Sequence, residues 1–358
     1  MDYSAYFDIP VEIIYFNTPG NGLMPRSHHA WRSQRESEFF DVRGDLRDQQ
    51  LAFMANVKKH LEELFRCSAS NLFLTPNFSF GLNTLLDGLP SGLKYAILDE
   101  DYPSLNYPVI SRQFDYKLIK VDANLEENIL DCIAQNNVDV LLLSIVQYIN
   151  GLKVDLNFIK KLKVQYPDLI IIGDATQYMG TEPFDFIQSG FDAVGGSGYK
   201  WMMAGFGNGY MMISDDLKDM LYKPAQQGPR PKEAMWTSKS ILDTFFEPGH
   251  QDTLSHGTLL QSVHFLNNLG LDNIQLHLQR LRKYAYDHLE ERSLLLPEIK
   301  NRETRSSLIN VQIDPSKYEL LMARGIKCFP RGTGIRIGVH LYNTESDINA
   351  FLAVIDKI

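Results

Sequence analysis

Two apolar segments of the sequence are followed by an acid and a lysine, residue types that can act together in catalysis. Residues 169–173 form an uninterrupted apolar run, typical of a strand buried on both faces of a parallel sheet, and Asp174 follows it directly. Residues 192–197 form a second short run, and Lys200 comes three residues after it. Strand ends of this kind meet at the carboxyl edge of a sheet, where such folds bind ligands. A partly desolvated lysine there can attack a carbonyl group and later act as a base.

An ordered set of residues surrounds this pair, with the acid 26 residues before the lysine (200 − 174). The set consists of Asp174, Thr176, Gln177, Gly180, Asp185, Asp192, Ser197, Lys200, Gly205, Gly207 and Gly209. It resembles the class V aminotransferases, a branch of the fold type I pyridoxal phosphate enzymes that also holds cysteine desulfurases, kynureninases and isopenicillin epimerase-like proteins. The resemblance extends from about residue 17 to residue 344. It implies that Lys200 is the Schiff-base lysine for pyridoxal 5'-phosphate and that Asp174 keeps the pyridine nitrogen protonated, so that the ring is an electron sink.

The resemblance also implies which residues contact the cofactor ring. Thr176 matches a small residue under the ring, and Gln177 matches a donor to the phenolic oxygen. Gln147, at the end of another predicted strand, is a further candidate for contact with that oxygen. Tyr102 matches the aromatic position that stacks on the ring, although an exposed loop tyrosine is the alternative. For Asp174 the alternative is a turn cap after its strand.

Several donors are expected to hold the cofactor phosphate. Phe78 and Ser79 begin a predicted helix, whose N-terminus offers free N–H groups to an anion, and Ser197 matches a hydroxyl donor. Ser79 is equally suited to cap its own helix. His250 takes the place of a threonine that in the family reaches the phosphate site of the neighbouring subunit. The resemblance therefore implies a homodimer with shared active sites.

Two residues are expected to bind the substrate. Arg336 matches the family arginine that clamps the substrate α-carboxylate in a bidentate contact. Asn17 lies in an entry segment that in the family passes near the substrate. Arg331 is a neighbour of Arg336 in sequence, and the sequence leaves open whether it reaches a second acidic group.

Strands must alternate with helices to bring these residues together. Between residues 71 and 174 apolar runs alternate with helical patterns, which predicts a mostly parallel α/β sheet. From about residue 256 a long helical run over 259–292 and later strands predict a smaller α+β domain. We therefore predict a large cofactor-binding domain over residues 1–255 and a small C-terminal domain over 256–358. By resemblance the large domain is a fold type I domain with a mixed seven-stranded sheet between helices.

Composition excludes several classes of partner. The chain has 358 residues and a net charge of −9, which argues against binding to nucleic acid or to an anionic membrane. Its apolar runs are too short to cross a bilayer, and the N-terminus does not resemble a secretory signal. Three cysteines and nine histidines show no ligand spacing, so we expect no metal and no disulfide framework. A cytoplasmic location is the expectation.

Amino transfer between an amino acid and a keto acid is the predicted function. A pyridoxal phosphate lyase, desulfurase or epimerase of the same family is the alternative, and a catalytically silent binding protein is a further one. A desulfurase needs a nucleophilic cysteine on a mobile loop, whereas Cys328 lies in an apolar run eight residues before Arg336 (336 − 328). We therefore predict that Cys328 is buried and takes no part in the reaction.

Overall fold

The computed structural model of the protein describes residues 3–237 and 239–357. The strands are β1 (Ile14–Tyr15), β2 (Leu72–Thr75), β3 (Lys94–Leu98), β4 (Asp115–Ile119), β5 (Val140–Ser144), β6 (Ile170–Asp174), β7 (Ala193–Ser197), β8 (Gly209–Ile213), β9 (Leu308–Val311), β10 (Ile326–Lys327), β11 (Phe329–Arg331) and β12 (Gly334–Gly338). The helices are α1 (Arg26–Glu38), α2 (Leu46–Phe65), α3 (Phe78–Gly88), α4 (Pro103–Ser111), α5 (Leu125–Asn136), α6 (Leu156–Gln165), α7 (Asp215–Met220), α8 (Lys223–Gln227), α9 (Ala234–Thr237), α10 (Ile241–Phe246), α11 (Thr253–Leu269), α12 (Leu271–Glu291), α13 (Pro297–Lys300), α14 (Tyr318–Ala323) and α15 (Glu345–Ile355).

Seven strands form the central sheet, in the order β2-β8-β7-β6-β5-β3-β4. Six of them run in the same direction, and β8 pairs antiparallel with both β2 and β7, so the predicted mixed, mostly parallel sheet is confirmed. Strands β5, β6 and β7 are buried along their whole length because helices cover both faces. Alternate residues of β6 accordingly belong to different cores, with Ile171 in one and Ile172 in the other.

The register of the central strands brings polar residues together at one edge of the sheet. Ser144 is paired with Asp174, and Asp174 is paired in turn with Gly195. Strand β7 then ends at Ser197, so three neighbouring parallel strands end close to one another. This edge is the one at which the sequence predicts a ligand crevice.

The C-terminal part of the chain forms a smaller sheet, in the order β11-β12-β9. The N-terminal strand β1 pairs with β10, so the beginning of the chain packs against this part. The single helical run predicted over 259–292 is wrong, since Gly270, with φ of +81°, separates α11 from α12. The predicted domain boundary after residue 255 lies inside α11 and stays a prediction. No helix in the described ranges is long and apolar enough to cross a membrane.

Candidate active site

A cavity of about 380 Å³ lies at the carboxyl edge of the central sheet. Its walls come from the ends of β5, β6 and β7, the N-terminus of α3 and the loops beside them. The lining residues are Pro76, Asn77, Phe78, Ser79, Tyr102, Ser144, Val146, Tyr148, Asp174, Thr176, Gln177, Ser197, Tyr199, Lys200, Phe206, Gly207 and Asn208. Most of the residues that the sequence predicts to contact a cofactor therefore share one cavity.

Asp174 is a buried carboxylate held by its neighbours on two strands. The backbone N–H of Thr176 donates to its Oδ1 at 2.8 Å. Thr176 Oγ1 accepts from the backbone N–H of Ser197 at 3.1 Å, which ties the end of β6 to the end of β7. Burial raises the pKa of Asp174 to about 6, while the hydrogen bonds from Thr176 and the charge of Lys200 act in the opposite direction. Thr176 and Lys200 therefore favour the ionised carboxylate, whereas burial favours the neutral form.

Lys200 projects its amine between two aromatic rings. Its Nζ lies 5.6 Å from the ring centroid of Tyr102 and 5.5 Å from that of Tyr199. Within the described residues no group accepts a hydrogen bond from this amine. Burial lowers the pKa of Lys200 to about 7; the negative charge of Asp174 opposes this shift and the positive charge of Arg336 adds to it. A large fraction of the amine is thus neutral near pH 7, as a nucleophile or base requires.

The backbone at Lys200 is held from three distant parts of the chain. Gly22 packs so closely that a Cβ there would lie 1.8 Å from the carbonyl oxygen of Lys200. The indole N–H of Trp201 donates to Gln177 Oε1 at 2.8 Å. His340 Nε2 lies 3.0 Å from the carbonyl oxygen of Trp201, and the tautomer protonated at Nε2 donates to it. These contacts set the direction in which the lysine side chain leaves the backbone.

The N-terminus of α3 and the end of β7 each bring a serine to the cavity, Ser79 and Ser197 respectively. Asn77 caps the helix, since its Oδ1 accepts from the backbone N–H of Phe80 at 2.9 Å, so the alternative interpretation of Ser79 as the cap is wrong. The backbone N–H of Phe78 donates to Ser197 Oγ at 2.9 Å. The hydroxyl proton of Ser197 is therefore available to another acceptor. The hydroxyl of Ser79 has no partner within the described residues.

Two of the predicted cofactor contacts have other partners or another location. The side chain of Gln147 shapes a turn, because its Oε1 accepts from the backbone N–H groups of Ile149 at 2.6 Å and Asn150 at 3.1 Å, and it does not line the cavity. His250 is exposed and borders a different cavity of about 370 Å³. Gln177 does line the site, although its Nε2 donates to the carbonyl oxygen of Pro19 at 3.0 Å.

Arg336 and Asn17, the predicted substrate contacts, lie beside the cavity and do not line it. Arg336 is buried on β12, where Nη1 donates to the carbonyl oxygen of Tyr148 at 2.8 Å and Nε has no partner within the described residues. Burial lowers the pKa of Arg336 to about 10, and the charge of Arg331 adds to this effect. The buried Oδ1 of Asn17 likewise has no described partner. Both side chains therefore keep unused hydrogen-bonding capacity near the site.

Several residues of the site were not predicted from the sequence. Tyr148 and Tyr199 line the cavity, and both could have been found from their positions just after a buried strand and just before the lysine. Asp101 was missed as well. It is buried behind Tyr102 and accepts hydrogen bonds from the hydroxyl and the backbone N–H of Ser144, at 2.7 and 2.8 Å. No sequence pattern points to that pairing, because it joins the ends of β3 and β5.

Comparison with known proteins decides the family. The model of the family "Aminotransferase class-V" matches residues 111–351. The chain belongs to this family. A "Probable cysteine desulfurase" of Pyrococcus abyssi is 20% identical, with 98% of this chain and 96% of the relative aligned. The "Uncharacterized aminotransferase YcbU" of Bacillus subtilis is 20% identical over 81% of this chain and 80% of the relative.

A solved structure of another protein has the same fold. The cystine C–S lyase C-DES, in complex with its reaction product cysteine persulfide, superposes with a TM-score of 0.82 and 18% identity. The superposition covers 95% of this chain and 96% of C-DES. The class V chain thus has the fold type I architecture that the resemblance implied.

Pyridoxal phosphate is the cofactor of the class V family, and the residues of this site fit it. Lys200 would supply an amine for its aldehyde, and Asp174 would supply a buried carboxylate for its ring nitrogen. The N-terminus of α3, with the free hydroxyl of Ser79 and the available proton of Ser197, suits its phosphate. The donor set therefore matches the three polar ends of this cofactor.

Proposed function

We propose that the protein is a pyridoxal phosphate-dependent aminotransferase that acts at the α-carbon of an amino acid and uses a 2-oxo acid as acceptor. The observation that supports transfer over desulfuration is the position of the cysteines. None of the three lines the cavity, and Cys67 and Cys328 are buried. Burial raises the pKa of each of these two thiols to about 12, so they are poor nucleophiles.

Asp174 and the phosphate-binding residues hold and tune the cofactor in this proposal. The bound cofactor supplies an electron sink for charge that develops at the substrate α-carbon. The ionised Asp174 keeps the ring nitrogen protonated, and Thr176 fixes the orientation of that carboxylate. Ser79 and Ser197 would donate to the cofactor phosphate. The ring of Tyr102, which faces Lys200, covers one side of the cavity.

Lys200 moves the proton. Its neutral amine accepts the proton from the substrate α-carbon at Nζ and holds it until it is returned. The aromatic rings of Tyr102 and Tyr199 exclude water from this amine, which limits loss of the proton to solvent. Replacement of Lys200 by Ala is expected to abolish turnover.

Arg336 orients the substrate. Within the described residues, the buried guanidinium of Arg336 has no carboxylate partner and its Nε–H is unused, which suits the planar α-carboxylate of an amino acid. Arg336→Lys keeps the charge but loses the planar fork, so we expect kcat/KM to fall roughly 10²-fold. The amine analogue that lacks the carboxylate should be affected far less. Equal losses for both substrates would show that Arg336 serves the fold instead.

Transfer of labelled nitrogen tests the proposal directly. The holoenzyme is incubated with a panel of ¹⁵N-labelled amino acids and unlabelled 2-oxo acids, and products are analysed by mass spectrometry. We expect ¹⁵N in the amino acid formed from the acceptor, and none with the Lys200→Ala variant. Labelled ammonium without labelled amino acid would refute amino transfer.

A lyase that eliminates a substituent from the substrate β-carbon is the second candidate. It is supported by the similarity to C-DES, because direct elimination requires no enzyme cysteine. The same incubation then releases ammonium, pyruvate and, from cysteine or cystine, reduced sulfur or persulfide. An epimerase would yield the opposite enantiomer of the labelled amino acid without transfer.

We infer that the active unit is a homodimer in the cytoplasm. Phe39 and Phe40 are exposed apolar residues at the end of α1, and Phe39 borders a surface cavity together with His250. An exposed aromatic pair beside the expected cross-subunit segment supports a dimer interface there. Three free cysteines support a reducing compartment.

A further inference from the structure

We propose that Arg331 forms a second anion-binding subsite at the rim of the cavity, so that the substrate is an amino acid or 2-oxo acid with a carboxylate on its side chain. This inference rests on the proposed function, in which Arg336 binds the α-carboxylate. It names the chemical class of substrate that the site selects.

The turn that carries Arg331 is fixed against the loop that carries Tyr148. Asn310 Nδ2 donates to the carbonyl oxygens of both Ile149 and Arg331, each at 2.9 Å. Gly332 packs on the same loop, since a Cβ there would lie 2.7 Å from Ile149 Cγ2. The backbone of Arg331 is therefore held in place, and only its side chain remains to be ordered by a ligand.

The guanidinium groups of Arg331 and Arg336 both lie beside Tyr148. Arg336 donates to the backbone carbonyl of Tyr148 at 2.8 Å, while the Cζ of Arg331 lies 5.9 Å from its ring centroid and 4.9 Å from that of Phe329. Tyr148 itself lines the cavity and packs edge-on against Tyr102 at a centroid distance of 5.2 Å. Both positive charges thus lie beside Tyr148, a residue that lines the same cavity as Lys200.

Neither arginine has an acidic partner within the described residues. Arg331 is exposed, whereas Arg336 is buried. Two further buried arginines do have such partners, since Arg35 pairs with Glu38 at 2.5 Å and Arg282 with Glu182 at 3.4 Å. Arg331 and Arg336 instead repel each other, and both act on Lys200. A ligand with two carboxylates would relieve this repulsion and satisfy both guanidinium groups.

Unreactive acids test the subsite without turnover. Glutarate and the monocarboxylate pentanoate have the same number of carbon atoms, and neither carries an amino or oxo group. Their binding to the holoenzyme is measured by calorimetry and by the change in the visible spectrum of the cofactor. We expect glutarate to bind about 10-fold more tightly than pentanoate, as one added charge-assisted contact gives. Because Arg331 is exposed, this preference should shrink at high salt.

Variants separate this inference from the proposed function. Arg331→Gln should remove the preference for glutarate and leave pentanoate binding unchanged, whereas Arg336→Gln should weaken both acids. Arg324→Gln, at an exposed arginine that follows α14, removes the same charge and should change neither. No preference in the unaltered protein, or a preference that survives Arg331→Gln, would overturn the subsite. Unchanged pentanoate binding in Arg336→Gln would instead overturn the role of Arg336 in the proposed function.

Discussion

Lys200 is expected to react as a neutral amine near pH 7. Burial lowers its pKa to about 7, whereas an unperturbed lysine titrates near ~10.4. About half of the Lys200 amine is then neutral at pH 7, against roughly 0.04% of a free lysine, which is about a 10³-fold difference. This ratio is the gain in the fraction of neutral amine; the lower basicity of Lys200 makes each neutral amine a weaker nucleophile, so the gain in reactivity is smaller.

Reductive methylation of the cofactor-free protein measures this titration. Formaldehyde and cyanoborohydride are applied in short pulses between pH 5.5 and pH 10.5, and modification of Lys200 is quantified by peptide mass spectrometry. A peptide with one lysine serves as an internal reference in each sample. We expect modification of Lys200 to level off above about pH 8, while that of the reference peptide continues to rise toward ~10.4.

Two variants should shift the Lys200 midpoint in opposite directions. The charge of Asp174 raises the pKa of Lys200, so Asp174→Asn should lower the midpoint. The charge of Arg336 lowers that pKa, so Arg336→Gln should raise the midpoint. Arg324→Gln, on the surface, should leave it unchanged. A midpoint near 10 in the unaltered protein, or shifts of the same sign in both variants, would refute the reasoning.

Sedimentation should show a homodimer at assay concentration, and a fully active monomer would contradict the shared site. Cys328→Ala should retain most of the turnover, as should the triple variant that also replaces Cys67 and Cys132. Mass spectrometry of the unaltered protein after incubation with L-cysteine should find no persulfide. A persulfide on Cys328 would favour desulfuration. Gly22→Ala should lower the free energy of unfolding by about 1–3 kcal/mol, because its methyl group would overlap the Lys200 carbonyl oxygen. Urea titration measures this change, and unchanged stability would show that this backbone moves freely.

Residue types and runs were sufficient to predict the centre of the fold. The apolar segments before Asp174 and Lys200 became β6 and β7, since a strand covered on both faces has no polar position to interrupt its pattern. Asp174 and Lys200 come together because the two strands that precede them end at the same edge of the sheet. The break at Gly270 was missed because apolar residues continue with helical spacing on both sides of it.

Contacts between distant segments could not be predicted in this way. The sequence pattern predicts Gln147 at a strand end, but only the folded loop shows that its amide oxygen accepts a hydrogen bond from the backbone N–H of Ile149. Gln177 matched a family position, yet its bonds to Pro19 and Trp201 depend on how the N-terminal segment packs. The role of each of these side chains was predicted from its position in the sequence, whereas its hydrogen-bond partners are determined by tertiary packing.

The contacts that hold the backbone at Lys200 determine when the site can form during synthesis of the protein. Gly22 precedes the lysine by 178 residues (200 − 22), and His340 follows it by 140 (340 − 200). Chains are made from the N-terminus at a limited speed, so Lys200 leaves the ribosome well before His340 does. A nascent chain that ends before residue 340 has the lysine but lacks the imidazole that holds the carbonyl oxygen of Trp201. Stable capture of the cofactor should therefore wait until residue 340 has left the ribosome.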